Sequence, residues 1–302
     1  MIVVVGESLM DVDPGRAESV GGSPLNVAVA LGRLEVPVVL ITELGNDSRA
    51  RTIERHLHEN GVEPVTAPSG RPTPTATIRF EAGEPAYDLE LRWELPSSEL
   101  PGCDALHVGS LGTVLEPGRQ SVLDLVEQAW ARDVFVSYDP NVREPLAGGH
   151  DQLWRDVESL ADRAHLVKLS DQDIGLLHPG ADPDDIARSL LTGERTELVI
   201  RTRGAAGAVG YVESGDRVLV VEVPGVPVEV ADTVGAGDAF TAAVLAVLLE
   251  TGSFGDYGAG IPRDEDRLRQ LLAAAAEVAA LSCSRPGAAA PFRSQLRPGW
   301  PD

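Results

Sequence analysis

Cysteine is scarce in this chain, which has only Cys103 and Cys283 among its 302 residues. Two isolated cysteines are too few for a disulfide framework and do not form a zinc cluster. The six histidines show no metal-binding spacing, and we interpret them as ordinary residues. We therefore expect a protein of a reducing compartment, the cytoplasm.

Positive charge is also in deficit, because 25 Lys and Arg residues stand against 47 Asp and Glu residues and the net charge is −22 at pH 7. Such a surface repels nucleic acids and anionic membranes, so we expect neither as a partner. It also repels phosphate groups at long range. Any phosphate site in this chain would need local backbone donors and a divalent cation.

Long apolar runs are missing as well. The longest, at residues 242–249, is far shorter than the roughly 20 residues that a membrane-spanning helix needs. The first residues, Met-Ile-Val-Val-Val-Gly, carry neither a basic region nor a small-residue cleavage site, so we expect no signal peptide. We expect a soluble protein in which residues 1–302 form a single domain.

Strand and helix patterns alternate along most of the chain. A β-branched run at residues 2–5 predicts a strand that is buried on both faces, and residues 23–34 predict a helix with Ser23 as N-cap and Pro24 at its first position. The alternation continues to an alanine-rich helix at 264–282. We expect a doubly wound α/β fold, in which helices flank a mostly parallel sheet and ligands bind beyond the carboxyl ends of its strands.

Residues 75–95 depart from this alternation. Two stretches with period-two patterning, 75–80 and 87–95, flank a turn-like Ala-Gly-Glu-Pro and predict a β-hairpin. The hairpin could be a lid or a dimer edge, or it could simply pack on the sheet. One face of its second strand would carry the apolar side chains Tyr87, Leu89, Leu91 and Trp93.

A glycine-rich turn precedes the most apolar helix pattern, in the run Asp232-Thr-Val-Gly-Ala-Gly-Asp238-Ala-Phe. Gly235 and Gly237 allow backbone N–H groups to approach an anion, and the helix start adds unpaired donors and the positive end of the helix dipole. Asp238 adds a carboxylate that can accept a proton, so the pattern suits phosphoryl transfer. By spacing alone, an ordinary helix start with a first-turn aspartate is an equally good interpretation.

Four further motifs accompany this one, namely Gly21-Gly22-Ser-Pro-Leu-Asn26, Asp139-Pro-Asn141-Val-Arg143, Lys168-Leu-Ser-Asp171 and Thr202-Arg-Gly204-Ala-Ala-Gly207. With the glycine-rich turn, they closely resemble the ribokinase-like (PfkB) carbohydrate kinases over nearly the whole chain. Within that family the chain is most similar to fructokinases and 2-keto-3-deoxygluconate kinases.

This resemblance implies a catalytic role for the glycine-rich turn. Asp238 would be the general base that takes the proton from a sugar hydroxyl. The backbone amides of Gly235, Ala236 and Gly237 would form an anion hole for the transferring phosphate.

The resemblance also implies a sugar site formed by Asp11, Gly22, Asn26 and Asp238, with Arg143 near the sugar or the phosphate. Purely structural interpretations stay open for these residues, Asp11 included. Asn26 and Gly22 could serve helix capping and turn formation, and Asp139-Pro-Asn141-Val-Arg143 could be a plain turn after a strand.

The nucleotide side is likewise implied by the resemblance. Asp173 stands where many members carry a glutamate that is linked to the magnesium network, so its role is expected to be weak and indirect. Residues 284–288 resemble the stretch that closes over adenine. The implied cofactors are ATP and Mg²⁺, with K⁺ as a further option. The residues implied to bind the nucleotide are Lys168, Ser170, Thr202, Gly204 and Gly207, together with Gly235 and Gly237.

Residues 12–20 form a shorter connection than the corresponding segment of many relatives. We therefore expect a reduced lid in which closure over the sugar depends on the 75–95 hairpin. Dimer contacts through lid strands would then be weakened, and the chain could be a monomer or a homodimer.

The activity implied is ATP-dependent phosphorylation of a primary hydroxyl on a hexose-like sugar, with fructose favoured. The nearest alternative is a 2-keto-3-deoxygluconate kinase, whose acidic sugar needs a cation; Arg79 and Arg92 are both present, so the sequence leaves this choice open. A noncatalytic sugar- or nucleotide-binding relative is a further alternative, disfavoured by the presence of Asp238. A dinucleotide-dependent dehydrogenase is not expected, because no glycine-rich fingerprint follows the first strand.

Overall fold

The computed structural model describes residues 1–12, 17–81, 84–90, 92–142, 149–192, 195–215, 217–254 and 260–301. No helix in these ranges is long and apolar enough to cross a membrane. The strands are β1 (Ile2–Val5), β2 (Leu9–Val12), β3 (Ser19–Gly21), β4 (Val38–Leu44), β5 (Val62–Pro68), β6 (Thr75–Glu81), β7 (Glu84–Glu90), β8 (Ala105–Gly109), β9 (Phe135–Asp139), β10 (Leu166–Ser170), β11 (Leu198–Thr202), β12 (Ala208–Ser214) and β13 (Arg217–Val223). The α-helices are α1 (Ser23–Arg33), α2 (Ser48–Glu59), α3 (Gly118–Ala131), α4 (His150–Ala161), α5 (Asp171–Leu177), α6 (Pro183–Ser189), α7 (Ala236–Glu250) and α8 (Glu265–Cys283).

The central sheet has nine strands in the order β13-β12-β11-β10-β9-β8-β1-β4-β5. Neighbouring strands from β5 to β11 pair in parallel, and β12 pairs antiparallel with both β11 and β13. Its two faces carry separate apolar cores: Ile2 and Val4 belong to the core that includes α1, α7 and α8, whereas Val3 and Val5 belong to the core that includes α3 and α4. The predicted doubly wound α/β fold is therefore confirmed.

A second, four-stranded sheet has the order β3-β2-β6-β7. Strands β6 and β7 form the expected antiparallel hairpin, and β6 also pairs in parallel with β2. The second strand ends at Glu90, so the prediction that it carries Trp93 is wrong. Trp93 is 2% exposed and belongs to the core of the central sheet, where its indole ring packs against Gly118. The alternation of apolar residues in the sequence therefore extends beyond the end of this strand.

The connection at residues 12–20 joins two strands of this small sheet. Val12 ends β2, Ser19 begins β3, and the two strands pair antiparallel; residues 13–16 lie outside the described part. The short connection and the hairpin thus contribute to one sheet. That this sheet acts as a reduced lid stays a prediction.

Helix α1 begins differently from the prediction. The N-cap is Gly22 at φ 108°, and Ser23 is the first helical residue. A Cβ on Gly22 would lie 2.5 Å from the carbonyl oxygen of Glu7, and a Cβ on Gly6 would lie 2.2 Å from Cγ of Pro24. Glycine at these two positions allows the start of α1 to lie against the end of β1. The prediction that Ser23 is the N-cap is wrong, because Gly22 occupies that position.

We expect Gly22→Ala to lower the free energy of unfolding by about 2 kcal/mol or more, because the new Cβ meets a backbone oxygen at an unfavourable φ. The measurement is urea unfolding followed by circular dichroism. Gly175→Ala is the control, since Gly175 is an exposed residue of α5 with no atom within 4 Å of its added Cβ; it should be neutral or stabilising by about 1 kcal/mol. Equal stability of the two variants would contradict the constraint at Gly22.

Candidate active site

The glycine-rich turn leads directly into α7. Its N-cap, Gly235, adopts a left-handed conformation with φ 74°, and a Cβ there would lie 2.7 Å from Cβ of Ala288. The first N–H groups of a helix have no partner within the helix, which leaves donors at this turn for an anion. The N–H of Ala236 already donates to the carbonyl of Thr233 at 3.3 Å. The amides of Gly237 and Asp238 are therefore better placed as donors than that of Ala236.

Asp238 lies in the first turn of α7 and is only 8% exposed. The Ser23 hydroxyl donates to one of its carboxylate oxygens at 2.6 Å, and Nδ2 of Asn26 donates to the other at 2.9 Å. Asn26 was expected in this site, whereas Ser23 was missed. The feature of the sequence that could have predicted Ser23 is its position three residues before Asn26, which places both side chains on one face of α1.

The pKa of Asp238 is raised above its ordinary value, chiefly by burial. The hydrogen bonds from Ser23 and Asn26 and the charge of Lys168 act in the opposite direction, while the charge of Asp139 raises the pKa further. A carboxylate with a raised pKa is a stronger proton acceptor than an exposed aspartate. The site therefore holds an oriented group that can act as a general base.

A buried ion pair lies beneath the first turn of α7. Nζ of Lys168 is 2.7 Å from Oδ2 of Asp139, and the Thr241 hydroxyl is 3.2 Å from the same oxygen. Burial lowers the pKa of Lys168, but the charges of Asp139, Asp173 and Asp238 outweigh it and raise the pKa overall. The structure brings Lys168 together with Asp139, and its predicted role in binding the nucleotide stays a prediction.

The motif that follows β9 forms a tight turn. The N–H of Asn141 donates to Oδ1 of Asp139 at 3.2 Å, and Asn141 has φ 39°. Nδ2 of Asn141 is buried with no hydrogen-bond partner in the described ranges, so the turn presents an amide donor. Arg143 lies outside the described residues, and its role stays a prediction.

Ser170 and Asp173 cap helix α5. The N–H of Asp173 donates to the Ser170 hydroxyl oxygen at 3.1 Å, while the Ser170 N–H and hydroxyl donate to Oδ2 of Asp173 at 2.7 and 2.6 Å. Oδ1 of Asp173 accepts from the N–H of Val142 at 2.7 Å. Both side chains thus have structural partners, and neither predicted ligand role, nucleotide for Ser170 or magnesium for Asp173, is tested by these contacts.

Thr202 ends β11 directly beside Ser170, its register partner in β10. The tight turn after Thr202 contains Gly204 at φ 53° and Gly207 at φ 97°. A Cβ on Gly207 would lie 2.1 Å from the carbonyl oxygen of Val223. The predicted nucleotide residues Ser170, Thr202, Gly204 and Gly207 therefore meet at one edge of the sheet.

Asp232 connects the glycine-rich turn to residues 284–288. Its carboxylate accepts from the N–H of Val234 at 3.0 Å and from the N–H of Gly287 at 2.9 Å. Residues 284–288, the stretch expected to close over adenine, are thus adjacent to the glycine-rich turn. Asp11, which was predicted to bind the sugar, lies in β2. A Cβ on Gly21 would lie 2.2 Å from Oδ2 of Asp11.

We expect Asp238→Asn to gain stability relative to the native chain as pH rises. Because the folded-state pKa of Asp238 is raised, the folded state binds this proton more tightly, and the native chain loses that contribution as pH rises from the ordinary value through the raised one. Asparagine does not titrate, and it keeps both hydrogen bonds when Ser23 donates to its oxygen and Asn26 turns its own carbonyl oxygen toward the new amide nitrogen. Urea unfolding from pH 3.5 to pH 8, a range that begins below the ordinary pKa of 3.8, measures the difference, with Glu158→Gln on the exposed face of α4 as control. A difference that is constant with pH would contradict the raised pKa.

Two curated proteins named as fructokinases are similar to this chain over most of its length. The chain is 30% identical over 308 aligned positions to the protein named "probable fructokinase-4" of Arabidopsis thaliana, covering 97% of this chain and 91% of that protein. It is 31% identical over 265 positions to a fructokinase of Rhizobium leguminosarum bv. trifolii, covering 82% of this chain and 79% of the relative.

A solved structure shares the fold. The crystal structure of a fructokinase from Xylella fastidiosa with bound ATP matches with a TM-score of 0.81 and 26% identity, covering 97% of this chain and 96% of that chain. The sequence model of the family described as "pfkB family carbohydrate kinase" matches residues 1–295. The chain therefore belongs to the pfkB family of carbohydrate kinases.

Proposed function

We propose that this sugar kinase is a fructokinase, which transfers the γ-phosphate of ATP to a primary hydroxyl of fructose. The observation that carries the proposal is the buried carboxylate of Asp238, held by Ser23 and Asn26 in the first turn of a helix whose amides can bind an anion. Relatives named fructokinase at 30% and 31% identity support the choice of sugar. ATP as donor is supported by the related fructokinase structure that contains it.

In this mechanism Asp238 accepts the proton of the sugar hydroxyl as its oxygen attacks the γ-phosphorus. The bond from that phosphorus to the bridging oxygen breaks, and ADP leaves with the electron pair. Amides around Gly235 and Gly237 stabilise the charge on the transferring phosphoryl group without moving, since the helix start fixes them. The hydrogen bonds from Ser23 and Asn26 hold the carboxylate in one orientation, so proton transfer needs no rotation of the base.

The sugar contacts are proposed for Asp11, Gly22 and Asn26. Nδ2 of Asn26 donates to Asp238, so its carbonyl oxygen and second N–H are the groups left for sugar hydroxyls. Gly22 allows the chain to approach closely where β3 meets α1. Arg143 would act from the turn that Asp139 and Asn141 form.

Mg²⁺ and K⁺ stay predictions. In the described part of the chain no group of three or more His, Cys, Asp or Glu side chains could hold a metal ion. Asp173, the weak candidate, already accepts three hydrogen bonds. Since the donor set does not form a metal cage, we derive no step through a metal held by the protein. The cytoplasmic location and the choice between monomer and homodimer also stay predictions.

The 2-keto-3-deoxygluconate alternative is not favoured by the relatives, which are named fructokinases. The side chains of Arg79 and Tyr87, which bear on this choice, lie outside the described part, and Arg92 is exposed. A noncatalytic relative would lack the general base, and Asp238 is present with its hydrogen-bond partners.

We expect Asp238→Asn to lower kcat about 100- to 10,000-fold, because it removes the general base and keeps the shape. Coupled release of ADP from Mg-ATP measures turnover with fructose, 2-keto-3-deoxygluconate, ribose and adenosine, and calorimetry measures ATP binding, which should persist. Glu158→Gln is the control for the substitution. Near-normal turnover of Asp238→Asn would refute the base, and preference for another sugar would refute the fructokinase assignment.

We expect Ser23→Ala to lower kcat about 10- to 100-fold, the factor that corresponds to about 1.5 to 3 kcal/mol for a hydrogen bond to a charged group. The KM for ATP should stay within about twofold of the native value, since the Ser23 hydroxyl contacts Asp238 and not the predicted nucleotide residues. Ser23→Thr, which keeps the hydroxyl, should restore most of the loss. An equal loss in both variants would show that the hydroxyl does not act on Asp238.

A further inference from the structure

The ion pair of Lys168 and Asp139 has no role in the mechanism described so far. Resting on the proposed function of Asp238, we propose that Lys168 is a positioning residue, which acts through Asp139 to keep the general base ionised and does not bind the nucleotide. Its place in the fold, its contacts and the charges around Asp238 support this role.

The pair is built by adjacent strands and covered by α7. Asp139 ends β9 and Lys168 lies in the middle of β10, and the residues that precede them, Tyr138 and Val167, are register partners. Their side chains are 7% and 2% exposed, and Nζ and Oδ2 are 2.7 Å apart. Two opposite charges at this distance in a buried site attract each other strongly.

The first turn of α7 rests on this pair. The Thr241 hydroxyl is 3.2 Å from Oδ2 of Asp139 and 3.0 Å from the carbonyl oxygen of Gly237. A Cβ on Gly237 would lie 3.2 Å from Nζ of Lys168. Gly237 directly precedes Asp238, so the ion pair supports the same helical turn that carries the base.

The groups that face Asp238 come from three elements. Helix α1 contributes two neutral donors, Ser23 and Asn26, while β9 and β10 contribute Asp139 and Lys168. The charge of Asp173, in α5, raises the pKa of Lys168, and Arg143 lies outside the described residues. Asp139 opposes ionisation of Asp238 and Lys168 favours it, so the two charges act in opposite directions while the pair is intact.

The same contacts disfavour a direct bond from Lys168 to a phosphate. An ammonium group that turned toward the nucleotide would leave Asp139 as an unpaired charge in the core. Losing one partner of a buried pair is strongly destabilising, because the remaining charge keeps its desolvation cost without its partner. The prediction that Lys168 binds the nucleotide is therefore replaced in this proposal by an indirect role.

The proposal predicts opposite effects for the two halves of the pair. In Lys168→Met, the remaining Asp139 carboxylate disfavours ionised Asp238, so the acid limb of kcat/KM moves to higher pH. In Asp139→Asn, the remaining ammonium favours ionised Asp238, and the limb moves to lower pH. The double variant Lys168→Met/Asp139→Asn removes both charges and should return the limb close to the native position, as expected when two groups act as a unit.

The pH profiles are measured with the sugar that the native enzyme phosphorylates, and the KM for ATP is measured in each variant. Shifts of the same sign, or no shift, would overturn the proposal. The double variant keeps the test available if a single variant fails to fold, because replacing a whole buried pair by neutral groups is often tolerated. A KM for ATP that rises tenfold or more in the double variant would show that Lys168 binds the nucleotide.

A second readout separates this proposal from the proposed function. Protein labelled with ¹³C at the aspartate carboxyl carbons is titrated by NMR, and the Asp238 signal is identified by its absence in Asp238→Asn. The midpoint of that signal should rise in Lys168→Met and fall in Asp139→Asn. If no sugar is phosphorylated, the proposed function fails, yet these midpoints still decide whether the pair controls Asp238.

Discussion

The burial of one carboxylate at the start of α7 is the constraint on which the site depends. Asp238 is 8% exposed, and an ionised group in such a place needs hydrogen bonds and compensating charge. Ser23 and Asn26 provide the hydrogen bonds from α1, and Lys168 provides the charge from β10. The close packing of α1 against α7 on one face of the sheet is what allows these groups to meet.

The parallel sheet places motifs that are distant in the sequence at one edge. Parallel strands end on the same side, so Asp139, Ser170 and Thr202, which end neighbouring strands, lie at one edge of the sheet, and Lys168 reaches Asp139 from the middle of β10. The glycine conformations then set the loops: Gly22 lets α1 begin against β1, and Gly235 lets α7 begin against Ala288. Substrate, nucleotide and base can share this edge because the strands deliver polar groups there and apolar groups to the two cores.

Local patterns predicted the elements well and their surroundings poorly. The alanine-rich helix was expected at 264–282 and α8 lies at Glu265–Cys283, because its apolar pattern and its N-cap, Asp264, are both local. Trp93 was assigned to the hairpin because the alternation of apolar residues does not say which core a side chain enters. Ser23 was expected to cap α1, since its hydroxyl is a good N-cap, but Gly22 caps the helix and the hydroxyl serves Asp238.

Residue types at short spacing and the order of the motifs were enough to predict the α/β class, the glycines at the turns and the family. The tertiary structure decided which groups face one another. Ser23 and Asp238 are 215 positions apart, and Lys168 and Asp139 are 29 apart. No short-range pattern encodes such pairs, since they form only when the sheet aligns its strand ends and α1 packs on α7. The charge around Asp238 is therefore a property of the fold, although the residue that carries the chemistry can be recognised in the sequence.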